Sequence, residues 1–143
     1  MATDFFTVEV LTLRGSITYY VLFFIDLESR RVCLAGVTRH PDQEWMEQIA
    51  RNVTMEDSGF LINRRYLLHD RDSKYCPSFR QVIEAGSVKT LALPPRSPNL
   101  NAYAERWVRF YKGSIKVEVK KKHSSIGRNF SCFAAHLIEQ DLF

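Results

Sequence analysis

Ile17-Thr18-Tyr19-Tyr20-Val21-Leu22-Phe23-Phe24-Ile25 is the stretch on which the fold turns: nine residues, mostly aromatic or β-branched, ended by Asp26. Such a composition fits a pleated, largely buried strand. It falls far short of the roughly 20 apolar residues that a membrane-spanning helix needs. The N-terminus, Met1-Ala2-Thr3-Asp4-Phe5-Phe6, lacks the basic region that opens a secretion signal. A soluble, cytoplasmic protein with no membrane partner is therefore expected. Upstream, Phe6, Val8 and Val10 alternate with Thr7 and Glu9, and Arg14-Gly15-Ser16 supplies a turn. Downstream, Asp26 to Arg30 is a second turn and Val32 to Val37 a third strand. The result is an antiparallel meander whose apolar strand lies at its centre.

From Pro41 the period changes. Trp45, Met46, Ile49 and Ala50 recur at helical spacing behind Asp42 and Glu44, acids that a helix N-terminus favours, and this helix ends near Asn52. Arg65 to Asp70 reads as a strand, Ser78 to Ala85 as a helix closed by Gly86, and Val88 to Leu93 as a strand stopped by Pro94-Pro95. Asn101 caps a last helix. In it Ala104, Trp107, Val108 and Tyr111 form an apolar stripe beside a face carrying Glu105, Arg109 and Lys112. Gly113 interrupts that helix; Ile115, Val117 and Val119 then alternate with charged residues, and no period survives Lys122. The order β-β-β-α-β-α-β-α defines an α/β fold with five strands and flanking helices. Its 143 residues suit one core domain, residues 1–112, followed by a basic, divergent tail, residues 113–143.

Lysine and arginine number 20 against 16 acids, a formal charge of +4 that is unevenly spread. Between Arg106 and Arg128 eight bases face the single acid Glu118, so the remainder, with twelve bases and fifteen acids, is net negative. A block of this kind attracts phosphate backbones when it is not simply a solvated tail. Cys33, Cys76 and Cys132 are odd in number and widely spaced, which signals neither a disulfide framework nor a zinc site.

Three acids fall where a strand ends or a helix begins: Asp4 opens the first strand, Asp70 closes the fourth, and Glu105 lies in the first turn of the last helix. Singly, each reads as a solvated surface group. If the first and fourth strands are neighbours, Asp4 and Asp70 stand side by side, and a helix crossing the sheet brings Glu105 over both. Hard divalent cations favour such clustered oxygens.

The words around these acids carry a resemblance. Thr3-Asp4-Phe5-Phe6, Leu68-His69-Asp70-Arg71-Asp72-Ser73-Lys74-Tyr75 and Ser97-Pro98-Asn99-Leu100-Asn101-Ala102-Tyr103-Ala104-Glu105-Arg106 resemble the catalytic core of retroviral-type integrases and bacterial insertion-sequence transposases of the DDE class. The likeness runs from Asp4 to Lys112, about three-quarters of the chain. A D-x34-E spacing alone is weak; joined to the HDRD strand end and the SPNLNAYAER helix start it is specific.

The resemblance implies an RNase H-like fold, with Asp4, Asp70 and Glu105 holding two Mg²⁺ or Mn²⁺ ions and Asp4 shared between them. It implies DNA as substrate, metal-dependent strand cleavage and strand transfer, and assembly into a homo-oligomer on element ends and target DNA. Asp72 is the rival to Asp70, but in the family's word it follows the ligand by two and belongs to the turn. Arg109 and Lys112 would hold the DNA backbone beside the metals, with Lys120, Lys121 and Lys122 adding basic contacts; a solvated helix face is the other reading of the first two. Asn99 and Asn101 are explained by turn formation and capping, His69 as a structural hydrogen-bonding histidine, Trp45 and Trp107 as core, while Arg71 and Arg96 lie in loops near the proposed site.

The chain departs from the family at both ends. Only three residues precede Asp4, where a helix-turn-helix region is usual, and past Lys112 the family's Lys-Glu-Glu-Cys-like stretch and His-Tyr-Asn-Arg-like ending are replaced by unrelated sequence. A frameshift or deletion in a mobile-element gene is the expected origin of that change, leaving a degenerate remnant truncated at both ends. Two other readings stay open: a nuclease of the same fold that hydrolyses strands without joining them, and a non-catalytic DNA-binding fragment.

Overall fold

The computed structural model describes residues 1–95 and, as helical residues, Ala102, Glu105, Arg106, Val108 and Arg109. β1 (Ala2–Thr12) and β2 (Gly15–Ile25) pair antiparallel along their whole length, from Ala2 opposite Ile25 to Thr12 opposite Gly15. The turn expected at Arg14-Gly15-Ser16 closes one step earlier, at Leu13-Arg14, and Gly15 already belongs to β2. Its φ of 123° lies in a region that a Cβ atom forbids, which is why glycine stands there.

β3 (Val32–Thr38) adds antiparallel to the other edge of β2, with an irregularity between Leu22 and Phe23. The turn before it is held by Asp26, a buried acid whose carboxylate accepts from Ser29 Oγ at 2.7 Å, Glu28 N at 3.3 Å and Arg64 Nη2 at 2.8 Å. The Ser29 hydrogen bond, the Glu28 amide and the Arg64 charge together outweigh burial and keep that carboxyl below its ordinary range.

After the meander come α1 (Gln43–Val53), β4 (Tyr66–His69), α2 (Pro77–Ala85) and β5 (Lys89–Ala92). Asp42 caps α1, its carboxylate accepting from Trp45 N at 2.9 Å. The end of α2 differs from expectation: Gly86 has an ordinary φ of −80°, and Ser87 takes the left-handed value of 65°. Glycine is needed at 86 for closeness instead, since a Cβ there would lie 3.0 Å from Thr54 Cγ2 at the end of α1.

The sheet order is β3-β2-β1-β4-β5, with β4 parallel to β1 and β5 parallel to β4. This mixed five-stranded sheet with flanking helices is the RNase H-like arrangement. Leu22 and Phe24 of β2 and Leu67 of β4 form one continuous core with Met46, Ile49, Ala50 and Val53 of α1 and Phe79 and Ile83 of α2. Trp45 packs on this core half-buried, as a core reading of that residue requires. Among the described residues no helix is long and apolar enough to cross a membrane. Cys33 and Cys76 are free thiols. The boundary expected after Lys112, residues 113–143 and Trp107 lie outside the described residues.

α1 approaches β3 closely at Gly36, where a Cβ would lie 2.8 Å from Ile49 Cδ1 and 2.9 Å from Trp45 Cζ2. Gly36→Val should therefore lift α1 from the sheet and lower stability by about 1–3 kcal/mol, the usual cost of overpacking. Urea denaturation of the two proteins measures the difference.

Candidate metal centre

β1 and β4 meet where Ala2 pairs with Leu68, and Leu68 N donates to Met1 O at 2.9 Å. Parallel strands advance in step, so carrying this register forward two residues sets Asp4 level with Asp70. The structure thereby makes neighbours of two acids 66 positions apart in the chain. Both are half-buried. Asp4 is the third residue of β1 rather than its opener, and Asp70 stands one step past the end of β4.

The chain beyond β4 is fixed by its own short polar side chains. Asp70 Oδ1 accepts from Asp72 N at 3.1 Å, and Asp72 Oδ1 accepts from Lys74 N at 2.9 Å. These successive side-chain turns are what an Asp-x-Asp-x-Lys sequence favours. Lys74 Nζ closes the loop with a 2.6 Å ion pair to Asp72 Oδ2 and lies 5.4 Å from the centre of the Phe5 ring and 5.6 Å from that of Tyr20. Burial acts to raise the Asp72 carboxyl, but the Lys74 side chain, its amide and its charge prevail and hold it below the ordinary value.

Asp72 is thus committed to Lys74, whereas the side chain of Asp70 accepts only one backbone amide among the described residues. That contrast favours Asp70 as the acid with coordination capacity to spare. Asp4 Oδ1 accepts from Phe5 N at 2.8 Å. His69 is buried, and its Nδ1 lies 2.6 Å from Asp70 O. A carbonyl can only accept, so Nδ1 carries the proton and the ring serves as a structural donor. Arg71 Nε donates to Leu93 O at 3.1 Å, which ties the loop to the end of β5.

Tyr75 was not legible as part of this place. It is buried, with its ring centre 5.7 Å from that of Phe5, 4.9 Å from that of His69 and 5.7 Å from that of Phe79. Burial pushes its phenol well above the ordinary value; Asp4, and more weakly Asp70 and Asp72, push the same way, and only Thr3 opposes them. The side chain is therefore a neutral phenol at neutral pH. The one sequence signal was its position five residues after Asp70.

Glu105 is helical and exposed, as are Arg106 and Arg109, while Val108 is half-buried. Among the described residues no three His, Cys, Asp or Glu side chains converge as a single metal site requires. The β1–β4 register sets Asp4 level with Asp70, and Glu105 is not gathered with them into such a group. Lys112, Lys120, Lys121 and Lys122, with Arg96, Asn99 and Asn101, lie outside the described residues.

The chain has an RNase H-like fold, and two solved structures similar to it come from viral proteins. One is a chain from the cryo-EM structure of the simian T-cell lymphotropic virus intasome in complex with PP2A regulatory subunit B56 gamma. It matches with a TM-score of 0.61 at 12% identity, over 90% of this chain and 44% of that one. The present chain thus spans less than half the length of that match. Another is the catalytic core domain of BIV integrase in a crystal structure, with a TM-score of 0.49 at 13% identity, over 96% of this chain and 97% of that one. No family model matches the sequence. No curated protein matches it either.

The two loop acids should separate in metal-free buffer. Asp72→Asn loses the Lys74 ion pair and should cost on the order of 1 kcal/mol, because the pair is only partly shielded from solvent. Asp70→Asn keeps its amide-accepting oxygen and breaks no ion pair among the described residues, so it should cost almost nothing. A carboxyl held low in the folded state stabilises above its unfolded value, about 3.9, and ceases to as pH falls through the folded one. The Asp72→Asn deficit should accordingly be present at pH 7 and shrink below about pH 4, as measured by urea midpoints across pH.

Proposed function

We propose that this chain is the catalytic core of a DDE-class transposase or integrase, acting on DNA by phosphodiester cleavage and strand transfer. The observation that carries the reading is the β1–β4 register, which sets Asp4 level with Asp70 on neighbouring strands. Likeness in fold to a chain of a viral intasome supports it.

Asp4 and Asp70, with Glu105 from the last helix, are the residues assigned to hold two Mg²⁺ or Mn²⁺ ions. The donor chemistry suits them, since carboxylate oxygens are what hard divalent cations take and the Asp70 side chain accepts only one backbone amide among the described residues, although Glu105 is not gathered with the two aspartates in this structure. When bound, such ions supply Lewis acidity to the attacking and leaving oxygens of an in-line displacement at phosphorus. The chain itself then needs no nucleophilic side chain, since water or a 3′-hydroxyl attacks directly. Its own tasks are to hold the acids in place, through His69 and the Asp72–Lys74 turn, and to grip the DNA backbone. Arg109, Lys112, Lys120, Lys121 and Lys122 are assigned to that grip, their charge complementing phosphate. Action on DNA ends within a homo-oligomer, inside the cell, completes the proposal.

Nicking of supercoiled plasmid in Mn²⁺ tests the site. Asp4→Asn, Asp70→Asn and Glu105→Gln should each reduce it to background, since an amide coordinates weakly and cannot neutralise the cation; Asp72→Asn should keep a measurable part. Loss with Asp72→Asn but not with Asp70→Asn would overturn the assignment, and joined products with pre-cut ends would distinguish strand transfer from hydrolysis. Replacing Lys120, Lys121 and Lys122 by alanine should lower the salt dependence of duplex binding by about 0.9 in log–log slope for each phosphate no longer neutralised.

A further inference from the structure

The hydroxyl of Tyr75 is buried and has no hydrogen-bond partner among the described residues. Buried polar groups are nearly always satisfied, and an orphan costs about 1–3 kcal/mol, so one in a native fold calls for an explanation. Thr3 Oγ1, which donates to Phe23 O at 2.9 Å, acts on this hydroxyl from nearby without reaching hydrogen-bond geometry with it.

The surroundings supply the explanation. The Tyr75 ring sits against Phe5, which follows Asp4, and against His69, which precedes Asp70. It is thus wedged at the strand junction between the neighbours of both acids, with Phe79 of α2 behind it. Asp4 is the charge its phenol feels most strongly, ahead of Asp70 and Asp72.

We propose that Tyr75 is a positioning residue for the metal-loaded site: its hydroxyl is held in reserve and donates to the Asp4 carboxylate once a divalent cation draws the two acids together. The inference rests on the reading of Asp4 and Asp70 as metal ligands. A carboxylate that coordinates through one oxygen has lone pairs left for a donor, and outer partners of this kind fix the ligand's orientation. In the metal-free protein the hydroxyl contributes no hydrogen bond, so the group weakens the apo fold and strengthens the loaded one.

Tyr75→Phe keeps the ring and removes only the oxygen. Mn²⁺ binding to the full chain is read from the loss of the free-ion EPR signal, with urea denaturation of the metal-free protein beside it. The expected result is Mn²⁺ affinity about 10-fold lower, the usual loss when an outer partner is removed, with metal-free stability unchanged or raised. Equal affinity in the two proteins would overturn the role of Tyr75 while leaving the metal reading intact. Weaker binding accompanied by a fall in metal-free stability would also overturn it, by showing that the side chain acts through packing. No Mn²⁺ binding by the unsubstituted chain would sink both.

Discussion

The pairing of Ala2 with Leu68 is the joint on which this structure depends. On one side of it lies the antiparallel meander, formed by contacts close in sequence; on the other lies the parallel β4–β5 half with its helices. β1 belongs to both halves, and the joint is short because β4 has only four residues. Its strength comes from beneath, where Leu67 of β4 and Leu22 and Phe24 of β2 share one core with α1 and α2. The same junction carries the register that sets Asp4 level with Asp70, so the apolar core and the alignment of these two acids have a common origin.

The acids of this protein fall into two kinds. Asp26 and Asp72 each face a cation, Arg64 and Lys74 respectively, and each organises a turn through its carboxylate. They act as structural groups, and their charge is balanced where it stands. Asp70 accepts a single backbone amide and lies beside another acid, near a tyrosine whose hydroxyl is unmatched.

Much of the architecture was written locally. Alternation and helical spacing place all five strands and both described helices within a few residues, because a strand or helix imposes its period on the side chains it buries. Asp42 at a helix N-terminus and Asp70 near a strand end were readable for the same reason, since their places concern the backbone within a few residues of themselves, whereas the capping bond of Asp42 is seen only in the structure. The shift of the first turn to Leu13-Arg14 and the exchange of roles between Gly86 and Ser87 were not. Both depend on strand register and on how closely α2 approaches Thr54, which no local pattern encodes.

By itself, then, the sequence determined the order and type of the described elements, the position of Asp70 at the end of its strand, and the basic character of the C-terminal segment. Only the tertiary structure decided that β4 docks beside β1, that Asp72 is consumed by Lys74 while Asp70 keeps spare capacity, and that Tyr75 is buried against the neighbours of both acids. The physical reason is range. A residue's period and capping are settled by partners within about four positions, whereas strand adjacency and burial are settled by which distant surfaces exclude water together.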